Sequence, residues 1–193
     1  GEYVHLDNVY LDHEGDGPHD VKVYFAAVGP KMLRLAGRIA DGVVLNRYYT
    51  VEATRAAVGV IEQGAMSAGR SMDEIERMKL VNAGVVSDKG RAIEEAKPGL
   101  AQYVAQQPHI EGPTAIDPEL ARRVKELIAW PANRAQVLEG ARLIPGELVE
   151  GLCCYGSEDE VRARLREYMD AGVTCAIVGG PTRKTIDALA QGF

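Results

Sequence analysis

Two hydrophobic periods alternate along this chain. Val21–Val28 (VKVYFAAV) is a β-branched and aromatic run that stops at Gly29-Pro30, the text of a buried strand. Pro30 suits the first position of a helix, and Met32, Leu35, Ala36 and Ile39 follow at helical spacing, which predicts that this face turns inward. Asp41-Gly42 breaks the pattern and Val43–Leu45 begins a second strand. Thr50 is placed to cap a helix that runs to Ala68, with Gly69 just past its end. Ser71 and Glu74 have capping-box spacing for a short helix. Leu80–Val86 reads as a third strand, and Ser87 as the cap of a helix that Pro98 kinks or interrupts.

Pro108, Gly112 and Pro113 mark residues 107–117 as loop, and Asp117-Pro118 is an N-cap and first-turn pair. Leu120, Val124, Leu127 and Ile128 share one face of the helix that follows, which Trp130-Pro131 ends. Another helix is expected over Ala132–Ala141, so residues 107–147 form a helical insert, with Trp130 in its core. Leu148–Tyr155 reads as extended. Ser157 and Glu160 repeat the capping box, Val161, Leu165, Tyr168 and Met169 mark a buried stripe, and Gly172 closes that helix. Val173–Val178 is the final strand and Thr182–Ala190 the final helix, while residues 1–20 read as a surface loop. Such β-α alternation predicts an α/β fold, a parallel sheet with helical crossovers, in a single domain over residues 1–193.

Composition narrows the class. The chain is 46% apolar and 26% charged, as in soluble globular domains. It has no apolar run near the about 20 residues that cross a membrane, and its first twenty residues are too polar for a secretory signal. A net charge of −6 with no basic stripe argues against nucleic acid. A cytoplasmic protein is expected. Cys153, Cys154 and Cys175 match neither a disulfide framework nor a zinc knuckle; they read as reduced core residues, with redox sensing by the vicinal pair as the alternative.

The candidate chemistry sits at Ala26-Ala27-Val28-Gly29-Pro30-Lys31, where a strand hands over to a helix. Helix N-termini carry unpaired N–H groups and partial positive charge, glycine lets an anion reach the backbone, and Lys31 adds a charge. Gly-Pro can equally be a plain tight turn. His5, His13 and His19 lie among Asp7, Asp12, Glu14, Asp16 and Asp20, but their spacing fits no ligand motif and no metal is expected; His109 stands apart. Asp41 reads as a turn former on the N-terminal side of a strand rather than a catalytic carboxylate. Gly179-Gly180-Pro181 with Arg183-Lys184 repeats a Gly-rich turn and basic pair after the last strand. No Ser-His-Asp or Cys-His pattern has a supporting local motif.

Val23–Asn46 (VYFAAVGPKMLRLAGRIADGVVLN) closely resembles the luciferase-like monooxygenase superfamily, in particular its F420-dependent, methylenetetrahydromethanopterin reductase-like branch. The matching positions are Ala27, Gly29, Pro30, Ala36, Gly37, Ala40, Asp41 and Gly42. Tyr155–Ser157, Ala171–Val173 and Ala176–Val178 resemble the family's last helix and strand. The resemblance implies the C-terminal half of a (β/α)8 TIM barrel and an oxidoreductase that moves a hydride to or from a small organic substrate, or reacts with oxygen, using coenzyme F420 or, alternatively, FMN. It implies that Ala27, Val28, Gly29, Pro30, Lys31 and Asn46 contact the cofactor. Arg47 and Tyr48 would meet substrate, and Tyr49 would line the same mouth. The family's first four strands and their acid/base residues have no counterpart in this sequence. Four strands cannot close a barrel, so a homo-oligomer or a partner chain supplying the other half is expected. The alternative is a truncated, non-catalytic barrel that binds a cofactor or completes a barrel with a partner chain.

Overall fold

The computed structural model describes residues 5, 7, 21–107, 116–129 and 131–190. In chain order these form β1 (Tyr24–Ala26), α1 (Pro30–Ile39), β2 (Gly42–Leu45), α2 (Val51–Ser67), a 3-10 turn at Met72–Glu74, β3 (Glu76–Val81) and β4 (Ala83–Val85). They continue with α3 (Lys89–Gln106), α4 (Pro118–Leu127), α5 (Arg134–Ala141), α6 (Gly146–Leu152), β5 (Cys154–Gly156), α7 (Glu158–Asp170), β6 (Cys175–Val178) and α8 (Arg183–Ala190). The main sheet is parallel throughout, in the order β1-β2-β3-β6, and β4 pairs with β5 in a second parallel ladder.

Helix starts follow the local text. Thr50 Oγ1 accepts from Ala53 N, and Ser71, Asn133 and Ser157 each close a full capping box. The α3 cap is Asp88 rather than Ser87, because the Asp88 carboxylate accepts the Arg91 N–H at 2.9 Å. α3 runs through Pro98 without interruption. Leu100, Ala101 and Val104 beyond the proline are fully buried against the insert, and that packing offsets one missing helical hydrogen bond.

Two further elements differ from the sequence reading. The third strand is not Leu80–Val86 but the pair β3 and β4, broken at Asn82, and it starts at Glu76 where Gly42↔Glu76 sets the register with β2. Charged residues hid its first half. Arg77 belongs to the strand because its guanidinium is bolted to the carbonyls of Gly172 (2.7 Å) and Ile75 (2.7 Å). Leu148–Tyr155 is α6 followed by β5, since Val149 and Leu152 sit one helical face apart and both are buried in the insert core.

Strand alternation divides the sheet into unlike faces. Val43, Leu45 and Val81 point toward the helices and join Leu33, Ala36, Ala57, Ile61, Leu165 and Tyr168 in one buried cluster. The opposite row, Ala26, Val44, Met78 and Cys175 in register, has no helix over it among the described residues and is exposed or half-buried. A parallel sheet normally buries both faces. Cys175 is accordingly exposed rather than in the core, while Cys153 and Cys154 are buried as expected. α1 also turns differently: Leu33, Ala36 and Gly37 face inward, leaving Met32 and Ile39 45% and 61% exposed. Gly37 and Gly64 set this rotation by letting α1 and α2 touch at their backbones, for a Cβ on either would lie 2.1 Å from the other helix's carbonyl oxygen.

A second buried cluster joins α3, α4, α5 and α6 around Leu100, Val104, Val124, Ile144 and Leu152. The insert is therefore a helical body with its own core, placed beside the C-terminal ends of the strands through Tyr48 and Tyr155.

Candidate functional site

Parallel strands deliver all their C-terminal ends to one side of the sheet. That side carries Ala27-Val28-Gly29 after β1, Asn46-Arg47 after β2 and Gly179-Gly180 after β6. The Arg47 side chain extends from the end of β2 past β3 to the end of β6, where its guanidinium lies 3.9 Å from where a Gly179 Cβ would stand. Arg47 has no carboxylate partner among the described residues.

The loop after β1 is open to an anion. Gly29 is the N-cap of α1 and supplies no side-chain cap, so the Lys31 and Met32 N–H groups at the helix start lack the partner that Thr50, Asp88 or Ser157 gives the neighbouring helices. Pro30 fills the first turn without wasting a donor. A Cβ built on Gly29 meets nothing within 4 Å, so the space beside the loop is open among the described residues. Lys31 is exposed beside it and Ala27 is buried beneath it.

Buried tyrosines hold the mouth from below. Tyr49 was expected to line the mouth but is 0% exposed; its hydroxyl donates to the Val28 carbonyl at 2.6 Å. Tyr48, expected to meet substrate, is 7% exposed with its ring 4.4 Å from that of Tyr103. Both residues follow β2 at a turn into a helix whose apolar neighbours draw the rings inward. Asn46 Oδ1 accepts the Tyr48 N–H at 2.9 Å and its Nδ2 donates to Tyr103 Oη at 2.5 Å. Tyr103, from the insert, was not foreseen because only the tertiary fold brings α3 to this loop.

Lys79 was also missed. It is fully buried on the helix-facing side of β3, between the rings of Tyr49 and Tyr168 at 6.0 and 4.7 Å. Its ammonium donates to Asn46 O at 2.8 Å and faces no carboxylate among the described residues. Burial pulls its pKa down to about 7. The signal was a lysine set between Met78 and Leu80, inside a strand whose first half also carries Glu76 and Arg77. Burial likewise pushes the Cys154 thiol up to about 12 and the hydroxyls of Tyr49 and Tyr168 upward.

The remaining candidates have structural roles or lie elsewhere. Asp41 Oδ2 accepts the Val23 N–H at 2.7 Å and so fastens the turn to β1. Arg183 pairs with Asp187 at 2.9 Å on an exposed helix face. His5 pairs with Asp7 at 3.1 Å, and no cluster able to hold a metal occurs among the described residues. His13, His19, His109 and Trp130 lie outside the described residues. No helix among the described residues is long and apolar enough to cross a membrane.

A helix N-terminus without a side-chain cap, at the C-terminal end of a parallel strand, is where barrels and open α/β sheets hold phosphate-bearing ligands. A sequence profile of the luciferase-like monooxygenase family matches residues 1–175. The chain belongs to this family. Among family members, it is 32% identical over 99% of its length to 5,10-methylenetetrahydromethanopterin reductase of Methanopyrus kandleri and covers 55% of that protein. It is 28% identical over 94% of its length to F420-dependent glucose-6-phosphate dehydrogenase of Nakamurella multipartita, covering 48% of it. The solved structure of the coenzyme F420 dependent tetrahydromethanopterin reductase from Methanopyrus kandleri superposes with a TM-score of 0.73 at 32% identity, over 89% of this chain and 50% of that one. The chain thus spans about half the length of the relatives it matches, and β1, β2, β3 and β6 with their helices form a half of a TIM-barrel fold.

Proposed function

We propose that this chain is the C-terminal, cofactor-phosphate half of an F420-dependent oxidoreductase that transfers a hydride to or from a small organic substrate. The bare N-terminus of α1 at the end of β1 carries the reading, in a family whose similar members include proteins named for F420. F420 fits this site better than FMN on those names. When bound it supplies two-electron hydride chemistry.

The chain's own residues bind and orient. The backbone at Gly29, Lys31 and Met32 holds a phosphate, with Lys31 adding long-range attraction. Ala27 and Pro30 shape the loop without competing for the anion. Asn46 serves by anchoring Tyr48 and Tyr103 at the rim. Arg47, with its guanidinium beside Gly179 at the end of β6, is placed to meet an anionic group of substrate or cofactor. The buried Tyr48 ring, against Tyr103, braces the rim.

Fluorescence titration with F420, and in parallel with FMN, tests this. Gly29 has an extended backbone that any residue adopts, and the space around it is open, so Gly29→Asp folds and caps α1 while placing a carboxylate where the phosphate sits. Saturable F420 binding that Gly29→Asp abolishes is expected. Wild-type protein that binds neither cofactor would sink the reading.

A second reading is favoured by the uncovered sheet face and the unpaired outer edges of β1 and β6 among the described residues. In it, strands of a second copy or of a partner chain cover that face, and the chain alone binds cofactor without turnover. Light scattering with an F420 reduction assay on the same sample separates the two. Turnover by a monodisperse monomer eliminates the second.

A further inference from the structure

We infer that Tyr49 is a positioning residue for the phosphate loop: its buried hydroxyl, by taking the Val28 carbonyl, aims the Gly29 N–H at the anion. This rests on the phosphate-site reading and deepens it. A trans peptide unit is planar, with its C=O and N–H pointing in opposite directions. The Val28 carbonyl points into the core, 2.6 Å from Tyr49 Oη. The N–H of the same peptide belongs to Gly29 and therefore points out of the core, into the space that is open beside Gly29. The next peptide is pinned as well, because Gly29 O accepts the Leu33 N–H at 3.0 Å. With both flanking carbonyls taken, the loop cannot flip to turn its donors inward. The Gly29 N–H has no acceptor among the described residues, and together with Lys31 and Met32 it makes three donors for one anion.

Tyr49 is itself held. Its ring is fully buried between α2 and the strands, and its backbone carbonyl accepts from Tyr168 Oη at 3.0 Å. A relay thus runs from Tyr168 on α7, through the β2–α2 junction, to the β1–α1 loop. A hydroxyl present only to fill the core would need some acceptor, but not the one carbonyl that sets the direction of a candidate ligand donor.

Tyr49→Phe keeps the ring and removes the bond. The wild type, Tyr49→Phe and Gly29→Asp are titrated with F420 and with its phosphate-free deazaflavin nucleoside, and amide exchange over Val28–Met32 is followed in ligand-free protein. Tyr49→Phe is expected to bind F420 about tenfold more weakly, one hydrogen bond's worth. It should bind the nucleoside as the wild type does and exchange the loop amides faster. A merely structural tyrosine would weaken both ligands together, and that result overturns the inference. So does wild-type F420 affinity in Tyr49→Phe when Gly29→Asp has lost it, an outcome that leaves the cofactor reading standing. If the wild type binds neither ligand, the cofactor reading fails and amide exchange decides alone, with unchanged loop exchange overturning the role of Tyr49. Should Tyr49→Phe not fold, Tyr168→Phe is read in the same assays, with a smaller loss confined again to F420.

Discussion

Lys79 gives the sharpest quantitative expectation. Its ammonium is removed from water, has one good acceptor in Asn46 O at 2.8 Å and a poorer one in Leu80 O at 3.5 Å, and leans on the Tyr168 ring. Neither carbonyl nor ring replaces a carboxylate, so burial favours the neutral amine and its pKa falls from 10.5 to about 7. The sign follows from proton counting. Above pH 7 the folded chain has released this proton while the unfolded chain keeps it up to 10.5, so unfolding takes up a proton and stability rises with pH across that window. At about 1.4 kcal/mol per pH unit, the ceiling is roughly 5 kcal/mol, and roughly 3 kcal/mol of it appears between about pH 6.5 and 9.5. Lys79→Met keeps the length and removes the titration. Urea unfolding followed by circular dichroism at several pH values gives both stabilities. The expected result is that the wild type gains on Lys79→Met by roughly 3 kcal/mol across that range, starting level or behind at low pH where the charged form pays its full desolvation. A difference that stays flat with pH refutes the reasoning and means that water or a carboxylate reaches the ammonium.

Two further outcomes follow from packing. Gly37→Ala and Gly64→Ala each drive a Cβ to 2.1 Å from a backbone oxygen across the α1–α2 contact, so each should cost about 3 kcal/mol and lower the melting temperature by several degrees, despite alanine's better helix propensity. A neutral or stabilising effect in thermal unfolding would mean that the helices are not in backbone contact. Thiol labelling should distinguish the cysteines: Cys175 on the uncovered sheet face reacts fast in monomeric protein and slowly in any assembled fraction, whereas Cys153 and Cys154, whose thiols burial pushes up, stay slow in both. Equal rates for all three in the folded protein would contradict the burial described.

Much of the fold was legible in local text because caps and turns are decided within a few residues. The Thr50 cap, the boxes at Ser71–Glu74 and Ser157–Glu160, the Asp117-Pro118 start and the Gly69 and Gly172 stops all rest on contacts at most five residues away. The Gly29-Pro30 loop belongs with them, since a strand followed by a glycine N-cap needs no distant residue to expose its donors. Elements defined by distant partners were misread. β3 is held by pairing with β2 and β6 across long separations and takes in a half-buried Arg77 and a fully buried Lys79, which no alternation rule would place there. α1 is apolar on more than one flank, so periodicity could not tell Leu33 and Ala36 from Met32 and Ile39; the glycine contact with α2 made that choice.

The sequence by itself determined where this parallel α/β chain begins and ends many of its helices, and where it leaves a helix N-terminus without a side-chain cap, because those are short-range matters of capping, turn chemistry and hydrophobic period. Tertiary structure alone decided what stands behind that loop. Tyr49, Tyr168, Lys79 and Tyr103 come from the β2–α2 junction, α7, β3 and α3, up to 119 residues apart in the case of Tyr49 and Tyr168. Their bonds depend on which side chains the packed helices force inward, a choice made by the whole core at once and written in no local stretch of the chain.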